Sequence, residues 1–407
     1  MDKGELSMKK GISAIMVVCM LFSLLAGCAL AENEIAVPEL TIARREIPDN
    51  EAMAFLKKLG FGWNLGNTFD AIKQGWNARA DEMTLETVWC GVETTAPMFD
   101  ALKEAGFSSV RIPASWHDHV TGPNHDISEK WLARVQQVVD WAYERGFYII
   151  LNIHHDEDQF LPSAAHYEES AHYVERIWQQ LAERFRDYDE HLILESMNEP
   201  RLINTAYEWS FNPVMPECVE AAECLNKLNQ LFVDTVRSTG GNNADRYLMV
   251  PAYDASPENA IRSSFVLPSD KADNKIIVSV HAYTPYSFAL QIGGVREFGS
   301  TSQKQDIVSF MNGLYNKYTV NGIPVVIGEF GAMEKQGNVQ ARVDWTAFYA
   351  ATASARNFPV FWWDNNAFSG NGELFGLLNR KDCSFPHPEI VEALSRYAGY
   401  EKLPEAK

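Results

Sequence analysis

Two glutamates stand where short apolar runs end. Glu199 lies in Leu-Glu-Ser-Met-Asn-Glu-Pro, and Glu329 lies in Val-Ile-Gly-Glu-Phe-Gly. Two carboxyl groups on separate strands are the equipment needed to cleave a glycosidic bond. The departing oxygen must receive a proton while the oxocarbenium-like carbon meets a nucleophile or water. One carboxyl must then be neutral and the other ionised, so their surroundings have to drive their proton affinities apart. Arg111 is a candidate to hold one of them in the charged form, and Tyr283 could donate a hydrogen bond to the same group. Trp116 and Trp363 offer flat faces for sugar rings, and Asn198 could bind a 2-hydroxyl.

Something must carry these groups to one place, and the chain alternates in a way that does so. Short apolar, β-branched or aromatic runs occur at 61–65, 109–112, 148–153, 191–197, 247–251, 276–280, 324–327 and 360–363. Amphipathic stretches such as 131–145, 173–185 and 219–237 separate them. In the last, Leu225, Leu228, Leu231, Phe232 and Val236 make one apolar stripe. Strands alternating with helices predict a parallel sheet covered on both faces, and eight units is the number that closes a (β/α)₈ TIM barrel. A doubly wound open sheet is the competing architecture, but it does not call for eight near-even repeats. A barrel assembles its site at the C-terminal ends of its strands. Here those ends carry Asn64, Arg111 with Trp116, His154-His155-Asp156, Asn198-Glu199, Tyr253, His281 with Tyr283, Glu329, and Trp363-Asp364.

Blander roles compete for some of these residues. Glu195 lies on the same run as Glu199, four positions nearer its start, and is expected to be a buried structural partner. His154, His155 and Asp156 are metal-ligand types, but the H-E-x-x-H spacing is absent and a metal site would leave the two glutamates unused, so no metal or other cofactor is expected. His117 and His119 are expected on a solvated loop. Trp362 and Trp363 must point to opposite sides of a strand, so one faces the helices. Trp209 fits either an extended cleft or loop packing, and Asp364 and Asn365 fit either a sugar contact or a turn cap.

The segments GWNLGNTFDA (62–71), VRIPASWHDHV (110–120), ILNIHHD (150–156), LILESMNEPR (192–201), VHAYTPY (280–286), VIGEFGA (326–332) and FWWDNN (361–366) resemble glycoside hydrolase family 5, in particular its bacterial endoglucanase and xyloglucanase branch. The likeness is collinear from about 50 to 400. It implies retaining double displacement on internal β-1,4-glucosidic bonds of cellulose, mixed-linkage β-glucan or xyloglucan, with a β-mannanase as the main competitor on shared machinery. It further implies Glu199 as acid/base, Glu329 as nucleophile, and Arg111, His154, Asn198, His281, Tyr283 and Trp363 in supporting positions. His155 is an alternative to His154.

The rest of the sequence bounds the setting. Residues 1–31 hold Lys9 and Lys10 ahead of an uncharged run from Ile12 to Ala26, the pattern of a signal peptide. Leu25-Ala26-Gly27-Cys28 fits a bacterial lipobox, which would lipidate Cys28 and leave a cell-surface lipoprotein; Ala29-Leu30-Ala31 fits free secretion. Either way the protein is expected to be exported. The formal net charge is −19, and the leader contributes +1 of it, so the remainder carries −20. Such a chain repels nucleic acid and suits a neutral polysaccharide partner. With 46% hydrophobic and 22% charged residues the composition is globular. One catalytic domain is expected over 49–400, after a lead-in at 32–48 and before a tail at 401–407, acting as a monomer. Beyond the leader, Cys90, Cys218, Cys224 and Cys383 match no zinc spacing; Cys218 and Cys224 could pair or stay as buried thiols.

Overall fold

The structure, a computed structural model, describes residues 34–405. The leader with its lipobox lies outside the described residues. Eight parallel strands close into a barrel: β1 (Phe61–Leu65), β2 (Ser109–Ile112), β3 (Tyr148–Asn152), β4 (Leu192–Glu195), β5 (Leu248–Pro251), β6 (Ile276–His281), β7 (Val325–Phe330) and β8 (Val360–Asp364). Each strand pairs in parallel with its sequence neighbour, and β1 pairs with β8, Asn64 opposite Trp363. The chain is therefore a single (β/α)₈ barrel, as the alternation of apolar runs predicts.

The strands are buried along almost their whole length because helices cover one face and barrel packing fills the other. Helix α1 (Glu51–Leu59) plugs the N-terminal end. Its Asn50 cap accepts a hydrogen bond from the Met53 N–H at 2.8 Å, and Ala52, Met53, Phe55, Leu56 and Leu59 pack on Ile150, Ile193, Met249, Ile277 and Val326. The extended lead-in runs beside it: the Arg44 N–H donates to Pro404 O and the Arg45 N–H to Ala355 O, both at 2.8 Å.

Outer helices exceed the stretches that periodicity marks. The segment expected at 173–185 is the helix Tyr167–Arg184, because its first turn is polar (Glu168, Glu169) and shows no apolar period. The one expected at 219–237 is Pro216–Ser238, opened by a proline at its first position. In it Val233, rather than Leu231, joins Leu225, Leu228, Phe232 and Val236 in the buried stripe. Cys218 and Cys224 are buried free thiols there, and Cys90 and Cys383 are unpaired too. A small antiparallel hairpin, which no apolar run marks, pairs 120–121 with 126–127.

Two strands run further than their apolar cores. β6 includes His281 and β7 includes Glu329, paired opposite each other after a register shift. Gly328 makes this close approach feasible: a Cβ there would lie 3.3 Å from His281 Nε2. His281 and Glu329 thus sit within the last two positions of their strands, whereas His154, Asn198, Glu199 and Tyr283 follow theirs by two to four residues.

Candidate active site

Arg111, on the third position of β2, is fully buried and ties the floor of the site together. Its Nε donates to Glu195 at 2.7 Å; Nη1 donates to Glu329 at 2.7 Å and Asn64 at 3.0 Å; Nη2 donates to Asn198 at 2.7 Å. Glu195 also accepts from the Ser279 hydroxyl at 2.5 Å and the Asn152 amide at 3.1 Å. It is the buried structural partner expected of it. Burial opposes the guanidinium charge, but Glu195 and Glu329 outweigh it and hold Arg111 above its ordinary value. A planar fork of donors can serve four acceptors this way; a lysine could not.

Above that floor the two glutamates face one another. Glu329 takes its second hydrogen bond from the Tyr283 hydroxyl at 2.8 Å. Burial, followed by the charge of Glu329, pushes the Tyr283 phenol far up, so it stays a donor. Glu199 contacts His281 Nδ1 at 2.7 Å, and the same nitrogen lies 3.7 Å from Glu329. Burial disfavours charge on both members of the Glu199–His281 pair. The hydrogen bond and positive charge of His281 nonetheless hold Glu199 below the usual carboxylate range, while Glu329 and Glu199 hold His281 above the usual imidazole range. One oxygen of Glu199, one of Glu329 and a nitrogen of His281 all lie within 4.8 Å of one another.

The remaining expected residues divide into two groups. Asn64, Arg111, His154, Asn198, His281, Tyr283 and Trp363 converge around the pair. His154 lies parallel to Trp363, with ring centres 5.8 Å apart and planes 3° apart. Burial, then its cationic neighbours, keep His154 well below its ordinary value and hence neutral. Trp363 packs on Met333 and Phe375, with a small edge exposed. His155 turns away toward Glu157 at 3.3 Å, which separates the roles of the doublet.

Trp116 and Asp364 are bonded into the interior of the fold. Trp116 is fully buried; its indole N–H donates to Asn152 O at 3.0 Å and its backbone N–H to Asp156 at 3.0 Å. The chain turns after Ile112, so strand alternation no longer decides which way residue 116 points. Asp364 is also fully buried, accepting from Trp63 Nε1 at 2.7 Å and from the N–H groups of Asn366 and Leu378 at 2.8 Å. It fixes the turn after β8. His119 is likewise no loop residue: it is buried and stacked on Trp131, with ring centres 3.7 Å apart.

Sequence reasoning passed over Arg201, next to Asn-Glu-Pro. Its Nη1 donates to Glu199 O at 2.8 Å and Glu157 at 3.0 Å, and Trp209 lies over its guanidinium at 4.0 Å, largely exposed. The basic residue directly after the motif was the available signal. Asp254 and Glu373, carboxyls from the β5 and β8 loops, were also missed, because loop residues carry no period. Burial, then the charges of Glu329 and Glu199, raise Glu373.

Among the described residues, two groups have donor atoms close enough to hold a cation, Asp70–His154–His155 and Glu199–His281–Glu329. In the first, Asp70 already accepts from the N–H groups of Asn67 and Thr68, and His155 is engaged by Glu157. In the second, Arg111 already supplies the positive charge. What the second arrangement can do is hand over a proton from one side while offering a carboxylate oxygen from the other.

Comparison with known proteins agrees with this chemistry. The family model for cellulase (glycosyl hydrolase family 5) matches residues 72–369. Cellulase/esterase CelE of Acetivibrio thermocellus is 37% identical over 410 residues, covering 97% of this chain; the chain spans about half (48%) of that relative's length. Endoglucanase 1 of Ruminococcus albus is 40% identical, covering 85% of this chain and 81% of the relative. Among solved structures, a family 5 lichenase from Caldicellulosiruptor sp. F32 superposes with a TM-score of 0.88 at 52% identity, covering 90% of this chain and all of that one. A xyloglucan-specific endo-β-1,4-glucanase, XEG5A, from a metagenomic library, gives 0.77 at 37% identity, covering 84% and 98%.

Proposed function

The chain belongs to the cellulase family, glycosyl hydrolase family 5, and we propose that it hydrolyses internal β-1,4-glucosidic bonds of cellulose, mixed-linkage β-glucan or xyloglucan with retention of configuration. The observation that carries this is the spacing of the two carboxyl groups. One oxygen of Glu199 and one of Glu329 lie within 4.8 Å of each other, which fits the ~5–5.5 Å carboxyl separation of retaining enzymes better than the ~6.5–9.5 Å that inverting enzymes need to seat a water.

Glu329 attacks the anomeric carbon while Glu199 gives its proton to the departing oxygen. Water, deprotonated by Glu199, then displaces Glu329. Arg111 and Tyr283 hold the attacking carboxylate in one rotamer, and donors fixed before reaction need no reorganisation during it. His281 Nδ1 orients Glu199 through a 2.7 Å contact. Trp363 provides the apolar face beneath a sugar ring. Mixed-linkage glucan and xyloglucan, named for the lichenase and XEG5A, are the first substrates to try. The leader supports export, with Cys28 as lipid-bearing residue; Cys28→Ala should release the protein from the cell surface.

The test is a panel of barley glucan, xyloglucan, carboxymethyl cellulose, xylan and mannan, with product sizes and the anomer of the first product followed by NMR. Glu329→Ala should abolish turnover, and Glu199→Ala should spare aryl glycosides whose leaving group needs no proton. An inverted first product sinks the mechanism, and release of only end-derived sugars sinks the endo assignment.

A further inference from the structure

Glu199 stands four residues beyond the end of β4, outside the barrel ladder. An acid/base must still meet the glycosidic oxygen at a fixed place, because a misplacement of about 1 Å costs about 100-fold in rate. His281 holds the carboxyl, at 2.7 Å. The peptide that carries it is held by Arg201.

Arg201 is buried, and its guanidinium joins three segments. Nη1 donates to Glu199 O at 2.8 Å and to Glu157 at 3.0 Å, and Nε donates to Glu208 at 3.4 Å. Glu157 is held in turn by His155 at 3.3 Å, and Glu208 accepts from the Asn204 N–H at 3.0 Å. The loop is pinned from β5 as well: the Tyr253 hydroxyl donates to Tyr207 O at 2.7 Å and accepts from the Leu202 N–H at 2.9 Å. A planar fork of donors keeps these directions, which a lysine ammonium would not.

Trp209 covers the guanidinium, with its ring centre 4.0 Å away. The indole is nevertheless 60% exposed, and no hydrogen bond or second ring contact engages it among the described residues. One face therefore rests on Arg201 and the other is open, on a loop tied at Leu202, Asn204 and Tyr207. That open face lies on the leaving side of the scissile bond. Glu199 serves the departing oxygen, and β4 stands across the barrel from β8, which carries Trp363. The C–H face of a sugar ring is apolar and packs on an indole.

We propose that Arg201 is a positioning residue for the acid/base and makes it responsive to the leaving-side sugar. A glucosyl ring stacked on the open face of Trp209 clamps the indole against the guanidinium, and the guanidinium fixes the peptide of Glu199. This rests on the family 5 mechanism proposed above. Contacts to a part of the substrate that does not react are thereby used to align the proton donor. Glu199 remains the group that gives and takes the proton.

The experiment compares kcat/KM on three substrates for the full chain and for Trp209→Ala, Trp209→Phe, Arg201→Met and the double variant Trp209→Ala/Arg201→Met. Barley glucan needs a proton and supplies a leaving-side sugar. Phenyl β-cellobioside needs the proton alone, and 2,4-dinitrophenyl β-cellobioside needs neither. Trp209→Ala should lose about 3- to 10-fold more on glucan than on either aryl substrate, and Trp209→Phe, which keeps a flat face, should recover most of it. Arg201→Met should lose about 10-fold or more on glucan and on phenyl cellobioside relative to the dinitrophenyl substrate. On glucan the double variant should lose less than the product of the two single losses, since both act through one contact. Trp209→Ala alters an exposed side chain, so its readout stands whatever Arg201→Met does to the melting temperature. An equal loss on all three substrates in either single variant, or a double-variant loss equal to the product, overturns the proposal. Absence of glucan hydrolysis by the wild type would instead refute the proposed function.

Discussion

Removing the Arg111 guanidinium should unfold the barrel in a strongly pH-dependent way. Arg111→Met keeps much of the side-chain volume but leaves Glu195 and Glu329 inside with no cation, both having lost a 2.7 Å partner. Removing one member of a buried pair costs about 3–5 kcal/mol. An escape limits the cost, since each abandoned carboxylate can take a proton. From a reference value near 4.3, that costs about 4 kcal/mol per group at pH 7 but only about 1 at pH 5. The variant should therefore lose roughly 4–7 kcal/mol at pH 7 and about 2 at pH 5. Glu195→Gln, which leaves Arg111 paired with Glu329, should lose only about 1–3 kcal/mol. Urea unfolding at both pH values measures these differences. A loss in Arg111→Met that is the same at pH 5 and pH 7, or smaller than that of Glu195→Gln, refutes the assignment of Arg111 as the common counter-charge.

Tyr283→Phe removes a donor to a charged oxygen, worth about 1.5–3 kcal/mol, so kcat should drop about 10- to 150-fold with the melting temperature little changed. Trp116→Ala should act the other way: a fully buried tryptophan costs about 3–5 kcal/mol of stability, read as a lower melting temperature, while the KM for glucan stays put. The His155–Glu157 pair should give stability a defined window. Burial opposes both charges, but their mutual hydrogen bond raises His155 to about 9 and lowers Glu157 to about 2. The histidine contribution is complete below its unfolded value near 6.5 and is lost as pH rises to about 9. The glutamate contribution is complete above about 4.5 and is lost as pH falls to about 2. Melting temperature against pH should fall from about 6.5 to 9, and His155→Gln should flatten that fall.

The strands were legible because parallel barrel strands are buried on both sides and read as short unbroken apolar runs. Their ends were less so. His281 and Glu329 are polar, yet they continue β6 and β7, since the donors awaiting them on Arg111 and Tyr283 replace apolar burial as the reason to stay in register. The direction of Trp116 was illegible for a related reason: position after a strand end does not say which way a side chain points once the chain has turned. Asp364 has every oxygen satisfied from inside the fold, which no spacing rule can foresee. Arg201 was within sight, adjacent to Glu199 in the motif. Asp254 was not, because its position depends on two left-handed dihedrals and on a hydrogen bond to a proline carbonyl in another loop.

The meeting of the lead-in with residues 404 and 405 has a topological consequence. Pro38 O accepts from the Tyr397 hydroxyl at 2.6 Å and the Arg44 N–H donates to Pro404 O at 2.8 Å, so the first and last described stretches run side by side. They do so on the end of the barrel plugged by α1, remote from Glu199 and Glu329. A short peptide could join them into a ring, and the chain could be reopened in an exposed surface turn such as Gly122 to His125, with every strand pairing kept. In this molecule the order in which the eight units are threaded is separable from the barrel they build.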